Sequence, residues 1–319
     1  MVVFVNREIS KKLIPPCVIG TWGYGSGYNG AKMVFGKSYS EEQLWDTFET
    51  AYELGFTMWD TAEVYGMGNA EKLLGKMITD KKEIILSTKH MPGKKYRSGE
   101  VTKALKNSLE RLNVERIDLY WLHEPYNLQK NLEEMANCVK SGMVKQIGIS
   151  NCDIEQLEKA DHILKQCGVK LSAVQNHFSL LSMERQKEVL RYCKEQDIRF
   201  YGYMILEQGA LSGHYDSSNP FPFFSMRGFL FGKNKFRKIQ PLLDYERKLA
   251  EKYQVDSAQI PIAWARMKGV IPIVGVTKRK YAEQLAEGMK IQMTEDEMEK
   301  LEQLAVDTGV CCKGGWETV

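Results

Sequence analysis

The sequence predicts an α/β fold, a (β/α)8 TIM barrel with an N-terminal hairpin and a long loop after the seventh strand. Three observations lead there. Eight short apolar or β-branched runs recur along the 319 residues, separated by longer stretches of helical spacing. The runs are apolar through most of their length, as expected of strands covered on both faces. The glycine-rich GTWGYGSG (20–27) is out of phase with G-x-G-x-x-G and has no helix directly after it, which argues against an open doubly wound sheet.

In chain order, strands are expected at CVIGTW (17–22), FTMWDTA (56–62), EIILSTK (83–89), IDLYWLH (117–123), KQIGISN (145–151), LSAVQNH (171–177), IRFYGYM (198–204) and VIPIVGV (270–276). Between them lie amphipathic segments; in one, Val101, Leu105, Ser108 and Leu112 share a face. Ser40 with Gln43, and Thr294 with Glu297, have the spacing of capping boxes. Gly55 and Gly142 fall where helices should end. VVFVNREI (2–9) suits a hairpin closing the barrel floor, and Leu206–Gln240, rich in aromatic and basic residues, interrupts the repeat after strand seven. No linker divides the chain, so residues 1–319 form one expected domain.

Composition narrows the function classes. With 43% hydrophobic and 27% charged residues, the chain has the makings of a large core. A net charge of +3 gives no reason to expect nucleic acid as a partner. No segment approaches the roughly 20 apolar residues of a membrane span, and the first residues lack a signal peptide's apolar core. The seven cysteines are scattered with no CxxC pair, so no metal site or disulfide framework is indicated and a cytoplasmic location is expected.

Polar residues close several of the apolar runs. Asp60, Lys89 and His123 end three consecutive predicted strands, and Ser150 with Asn151 and Gln175 with Asn176 end the next two. In a barrel, C-terminal strand ends converge on one mouth. Tyr65 follows Asp60 in DTAEVYG (60–66). A phenol has an ordinary pKa of about 10, and an ammonium such as that of Lys89 would move it toward the working range. Asp60 would hold the lysine charged, and His123 could hydrogen-bond a carbonyl oxygen. Such a set protonates an oxygen while something else attacks carbon. It contains no nucleophile, so a bound hydride donor is the natural partner.

At these residues the chain resembles the aldo-keto reductase superfamily, along nearly its whole length. The resemblance is carried by GTW (20–22), DTAEVYG, the STK ending strand three, YWLH (120–123), GISN (148–151), VQNHFSLL (174–181), YGYMILEQGALSG (201–213) and IPIVGVTKR (271–279). It implies a barrel that binds NADPH, with NADH as the alternative, and reduces a small-molecule carbonyl, with Asp60, Tyr65, Lys89 and His123 as catalytic residues. It further implies coenzyme contacts from Gly20, Thr21, Trp22, Asp60, Ser150, Asn151 and Gln175. Tyr203 would stack on the nicotinamide, Met204 after it would also contact the coenzyme, Leu206, Gln208 and Gly209 would lie at the diphosphate, and Thr277, Lys278 and Arg279 at the 2′-phosphate.

Trp22, Tyr24, Tyr65, Trp121 and His123, together with Tyr126 and the aromatics between Phe221 and Phe231, are candidates for the substrate pocket. The family pattern is broken at His177-Phe178, where Glu-Tyr is common, at Met204-Ile205 for Ser-Pro, at Gln284-Leu285 for Glu-Asn, and at Glu124 for Trp. The alternative function is a nucleotide-binding regulatory subunit of the same fold acting on a protein partner. A Schiff-base lyase using Lys89 is a third, and the Asp-Tyr-Lys-His set disfavours it.

Overall fold

The structure, a computed structural model, describes residues 8–9, 12–13, 16–81, 83–222 and 226–313. Strands β1 (Glu8–Ile9) and β2 (Lys12–Leu13) pair antiparallel. The remainder of the expected hairpin, residues 2–7, lies outside the described residues, as do Phe223, Phe224 and the terminal GWETV.

Eight parallel strands then close into a barrel. They are β3 (Val18–Gly20), β4 (Met58–Asp60), β5 (Ile85–His90), β6 (Ile117–Leu122), β7 (Val144–Ser150), β8 (Leu171–His177), β9 (Arg199–Tyr203) and β10 (Ile271–Gly275). Each pairs with its sequence neighbour, and β10 returns to β3 through Ile273 opposite Val18. The eight predicted runs are these eight strands, with ends that agree or differ by one or two residues. Every residue of β5, β6 and β8 is buried, which is why those runs did not alternate in polarity.

The helices are α1 (Ala31–Phe35), α2 (Glu41–Glu53), α3 (Asn69–Met77), α4 (Glu100–Leu112), α5 (Leu128–Lys140), α6 (Ile154–Gln166), α7 (Lys187–Glu195), α8 (Met226–Leu230), α9 (Lys233–Tyr253), α10 (Gln259–Met267), α11 (Arg279–Gly288) and α12 (Glu295–Asp307). Val101, Leu105, Ser108 and Leu112 form the buried face of α4. Gly55 and Gly142 follow α2 and α5 with φ of 90° and 81°, a left-handed conformation that glycine adopts without steric cost. Thr294 and Glu297 make a full capping box. Ser40 makes only half of one. Its side chain accepts from Gln43 N, but the Gln43 amide donates instead to the Thr277 carbonyl at 2.6 Å, tying the first outer helix to the end of the barrel.

Two cores result. The larger lies between sheet and helices. The smaller fills the barrel with Val18, Met58, Ile85, Leu119, Trp121, Ala173, Tyr201 and Ile273, inward side chains from seven of the eight strands. The eighth, β7, contributes Gly148. A Cβ there would sit 2.2 Å from the Trp121 ring, so the absent side chain makes room for the indole. Side chains on a strand alternate, so the next inward positions upward from this plug are Gly20, Asp60 and Ser87, with Lys89 one inward position further along β5 and His123 just beyond the end of β6. The apolar plug therefore forms the floor on which the polar residues stand.

Candidate active site

Asp60 is the last residue of β4, and Lys89 stands one place before the end of β5. Both are buried, Lys89 completely. The Lys89 ammonium donates to Asp60 Oδ2 and, at 2.8 Å, to the Thr61 carbonyl. The other Asp60 oxygen accepts from Ser87 Oγ at 2.6 Å, Trp121 Nε1 at 3.1 Å and Gln175 Nε2 at 3.3 Å. A buried carboxylate is tolerable only when satisfied in this way.

The Lys89 ammonium lies 5.0 Å from the centre of the Tyr65 ring. The His123 ring stands edge-on to Tyr65, with centroids 6.1 Å apart and planes at 82°. The Trp22 indole stacks on the opposite side of Tyr65 at 5.5 Å and 15°. Asp60, Tyr65, Lys89 and His123, separated by up to 63 positions in sequence, thus meet at one end of the barrel.

The loop carrying Tyr65 is fastened at several points. Glu63 accepts from Met91 N at 2.7 Å and contacts His90 Nδ1 at 2.9 Å, which pins the loop to the end of β5. Gly66 N donates to the Asn29 carbonyl at 3.1 Å, and Asn29 Nδ2 donates to the Val64 carbonyl at 2.9 Å. These contacts fix the phenol before any ligand arrives.

The electrostatics correct one expectation. Tyr65 is not drawn toward neutral pH. Burial, and after it the negative charge of Asp60, push its pKa well above 10.0. The Lys89 ammonium is already paired with Asp60, so it does little to stabilise a phenolate. Burial also draws the Lys89 pKa below 10.5, against the opposing pull of Asp60. His123 is held well below 6.5 by burial, then by the charges of Lys89 and His90. Its Nδ1 is enclosed without a partner, leaving Nε2 as the nitrogen that can meet a ligand. The resting site therefore offers a protonated phenol and a neutral imidazole.

A cavity of about 460 Å³ opens over this group. Its walls include Gly20, Thr21, Trp22, Asp60, Tyr65 and His123, then Ser150, Asn151, Gln175, Tyr203 and Met204, and finally Leu206, Gln208, Gly209 and Thr277. Lys89 lies beneath the surface, in contact with Asp60. Lys278 and Arg279 are exposed just beyond Thr277 and do not line the cavity; Arg279 pairs with Glu283 and Asp46.

Two expected pocket residues are placed elsewhere. Tyr24 is buried edge-on against Trp59 in the layer between sheet and helices. Trp121 is one layer too deep, in the barrel plug, and reaches the site only through its hydrogen bond to Asp60. Phe221 and Phe231 also miss the cavity. They pack on each other and on Phe236 in the large core, and Phe229 is exposed. Tyr126 likewise lies outside the lining. Phe35, Tyr39, Val64, Met91 and Glu124 also line it and were not anticipated as wall residues. All but Phe35, at the end of α1, sit on connections, where no periodic signal marks direction.

Along the next part of the wall, Asn151 adopts a left-handed backbone with φ of 57°. Its side chain donates to the His123 carbonyl at 2.9 Å and to Glu124 Oε1 at 3.2 Å, and accepts from Tyr203 OH at 2.5 Å. Ser150 Oγ donates to the Gln175 carbonyl at 2.7 Å. Amide and hydroxyl groups are thus ordered beside the tetrad, with Tyr203 presenting a ring next to them.

These positions can be set beside known proteins. The model of the aldo/keto reductase family matches residues 16–306. A chloroplastic pyridoxal reductase from Arabidopsis thaliana is 31% identical over 315 residues, covering 92% of this chain and 84% of its own length. An NADP(+) aldo-keto reductase from Schizosaccharomyces pombe is 29% identical, covering 93% of this chain and 90% of its own. A glycerol dehydrogenase from Gluconobacter oxydans superposes with a TM-score of 0.81 over 97% of each chain, at 22% identity, which speaks to the fold alone. Barrel, family match and relatives agree: the chain belongs to the aldo/keto reductase family.

Proposed function

We propose that this protein reduces an aldehyde or ketone to an alcohol with NADPH, using Tyr65 as general acid. One observation carries the reading. The protonated phenol of Tyr65 and the neutral His123 share a single cavity with a continuous run of amide, hydroxyl and aromatic groups ending in the loop at Leu206–Gly209.

The residues present fit a nicotinamide dinucleotide. Ser150, Asn151 and Gln175 offer the donors and acceptors that a carboxamide needs, and Tyr203 offers a face for ring stacking. Further along, Gly209, Gly275 and Thr277 continue the cavity lining beyond the nicotinamide end. Lys278 and Arg279, at the start of α11, would receive a 2′-phosphate.

When bound, the coenzyme supplies the hydride. The chain's own residues do the rest. His123 Nε2 orients the carbonyl oxygen, and Tyr65 delivers its proton to that oxygen as negative charge develops there. Lys89, held by Asp60 and Thr61, keeps the buried Asp60 carboxylate from opposing that transfer with an uncompensated negative charge. Ser150, Asn151, Gln175 and Tyr203 fix which face of the ring meets the substrate, the geometry that makes proximity effective.

Around the reacting end, Trp22, Phe35, Val64 and Met91 make an apolar wall, which favours compact aromatic or branched carbonyl substrates. Pyridoxal, the substrate named for the Arabidopsis relative, belongs in this class. Incubating the protein with NADPH and a panel of aromatic, branched and polar aldehydes should give coenzyme oxidation, fastest with the compact aromatic members. Tight nucleotide binding without turnover on any carbonyl would instead favour the regulatory-subunit reading.

A further inference from the structure

We propose that Glu207, clamped by His177 and Ser179, is a positioning residue that holds the coenzyme-binding loop in its binding shape. The proposal builds on the NADPH reading above and adds a residue that itself lies outside the cavity lining. It is carried by the backbone of 204–209 and by what restrains it.

Met204, Glu207 and Gln208 all have positive φ, at 60°, 47° and 55°, and Gly209 follows at 104°. A cluster of three non-glycine residues in the left-handed region costs energy and persists only where the surroundings enforce it. Besides the turns' own backbone hydrogen bonds, an enforcing side-chain contact is the Glu207 carboxylate. It is turned inward and buried, where one oxygen receives His177 Nε2 at 2.7 Å and the Ser179 hydroxyl. Ser179 is itself fixed. Its Oγ accepts from Leu181 N at 3.1 Å, and its backbone N donates to Ser182 Oγ at 2.8 Å.

The same histidine reaches the other end of the coenzyme site. The His177 ring stacks on Tyr203 at 5.7 Å, with 25° between planes. Tyr203 in turn holds Asn151 through its hydroxyl. A single chain of contacts therefore runs from Asn151 through Tyr203 and His177 to Glu207, joining the residues assigned to the nicotinamide to the loop assigned to the diphosphate. His177-Phe178 and Met204-Ile205, the two breaks in the family pattern flanking this chain, fall together in space. With Glu207 inward, Leu206, Gln208 and Gly209 present themselves to the cavity. Removing the carboxylate leaves the left-handed turns held only by their own backbone hydrogen bonds and by Arg227 on the Gln208 carbonyl, so more of the loop's order must come from the ligand, and affinity falls by that ordering cost.

Three variants test this: Glu207→Ala, Glu207→Gln, which keeps an acceptor oxygen at the same reach, and His177→Phe, which keeps a ring on Tyr203 but loses the hydrogen bond. Measured by coenzyme fluorescence, the Kd for NADPH should rise about tenfold or more in Glu207→Ala and His177→Phe. Glu207→Gln should recover most of that loss. In turnover, the loss should appear in KM for NADPH far more than in kcat at saturating coenzyme. Amide hydrogen exchange over 204–213 should quicken in the free variants. If Glu207→Ala does not fold, His177→Phe carries the test. A folded variant with unchanged exchange in 204–213, or with faster exchange and an unchanged Kd, overturns the proposal. Failure of the unaltered protein to take up NADPH would overturn the reductase reading and the coenzyme half of this proposal, and the exchange data would then decide the role of Glu207 in the loop.

Discussion

Tyr65→Phe is expected to lower kcat for carbonyl reduction by at least about 100-fold while leaving NADPH binding intact, because a positioned general acid contributes roughly 10²–10⁴ in rate. The substitution removes one hydroxyl and keeps the ring that stacks on Trp22 and faces His123, so the cavity wall survives. Steady-state kinetics beside a coenzyme titration checks both halves. The wild-type profile carries a companion expectation. Burial and Asp60 hold the Tyr65 pKa well above 10.0, and burial with Lys89 and His90 holds that of His123 well below 6.5. Between those values the phenol keeps its proton and the imidazole stays neutral. The rate of reduction should therefore show no limb from either group across that range, and a basic limb near pH 8 that vanished in Tyr65→Phe would contradict the assignment.

The second large effect is on stability as well as rate. Lys89→Met takes the cation from a fully buried pair and leaves Asp60 charged beneath the cavity. Breaking such a pair costs about 3–5 kcal/mol. The donors from Ser87, Trp121 and Gln175 that remain on Asp60 place the expected loss at the lower end. Adding Asp60→Asn to Lys89→Met removes the stranded charge, so the double variant should recover most of the stability while remaining catalytically impaired. Denaturant unfolding of the two single variants and the double, with kcat measured on each, separates the roles. Full recovery of activity along with stability would show that the pair serves folding alone.

Much of this site was legible in the sequence because strands impose a simple geometry. Asp60, Lys89 and His123 each close an apolar run, and the alternation of side chains makes their convergence a consequence of the barrel. The same periodicity explains the misplacement of Trp121. Two residues before His123 and still within β6, it shares an inward direction but lies a layer lower, where it packs over Gly148 and donates to Asp60. Depth along a barrel axis is set by strand tilt and register, which only the pairing of strands reveals.

Connections obey no such rule. Tyr24 turns into the outer core, Phe35 and Met91 turn toward the cavity, and nothing in their spacing distinguishes the cases. The insertion after the seventh strand was recognisable as an interruption, but its Phe221 and Phe231 build core around Phe236 and the first turns of α9 fall within it. Charge effects were the hardest to anticipate. Pairing Lys89 with Asp60 was foreseeable, but its consequence for Tyr65 depended on how deeply all three are buried, and burial reversed the expected direction.

The proposed reaction is direct transfer of hydride from a nicotinamide coenzyme to a carbonyl carbon in the cavity bounded by Tyr65 and His123. NADPH carrying deuterium on the transferring face of the nicotinamide, turned over with a compact aromatic aldehyde, measures that transfer. One deuterium bound to the carbinol carbon of the alcohol, and none lost to water, is the predicted result. An alcohol free of deuterium, or label appearing equally from NADPH labelled on either face, would contradict it.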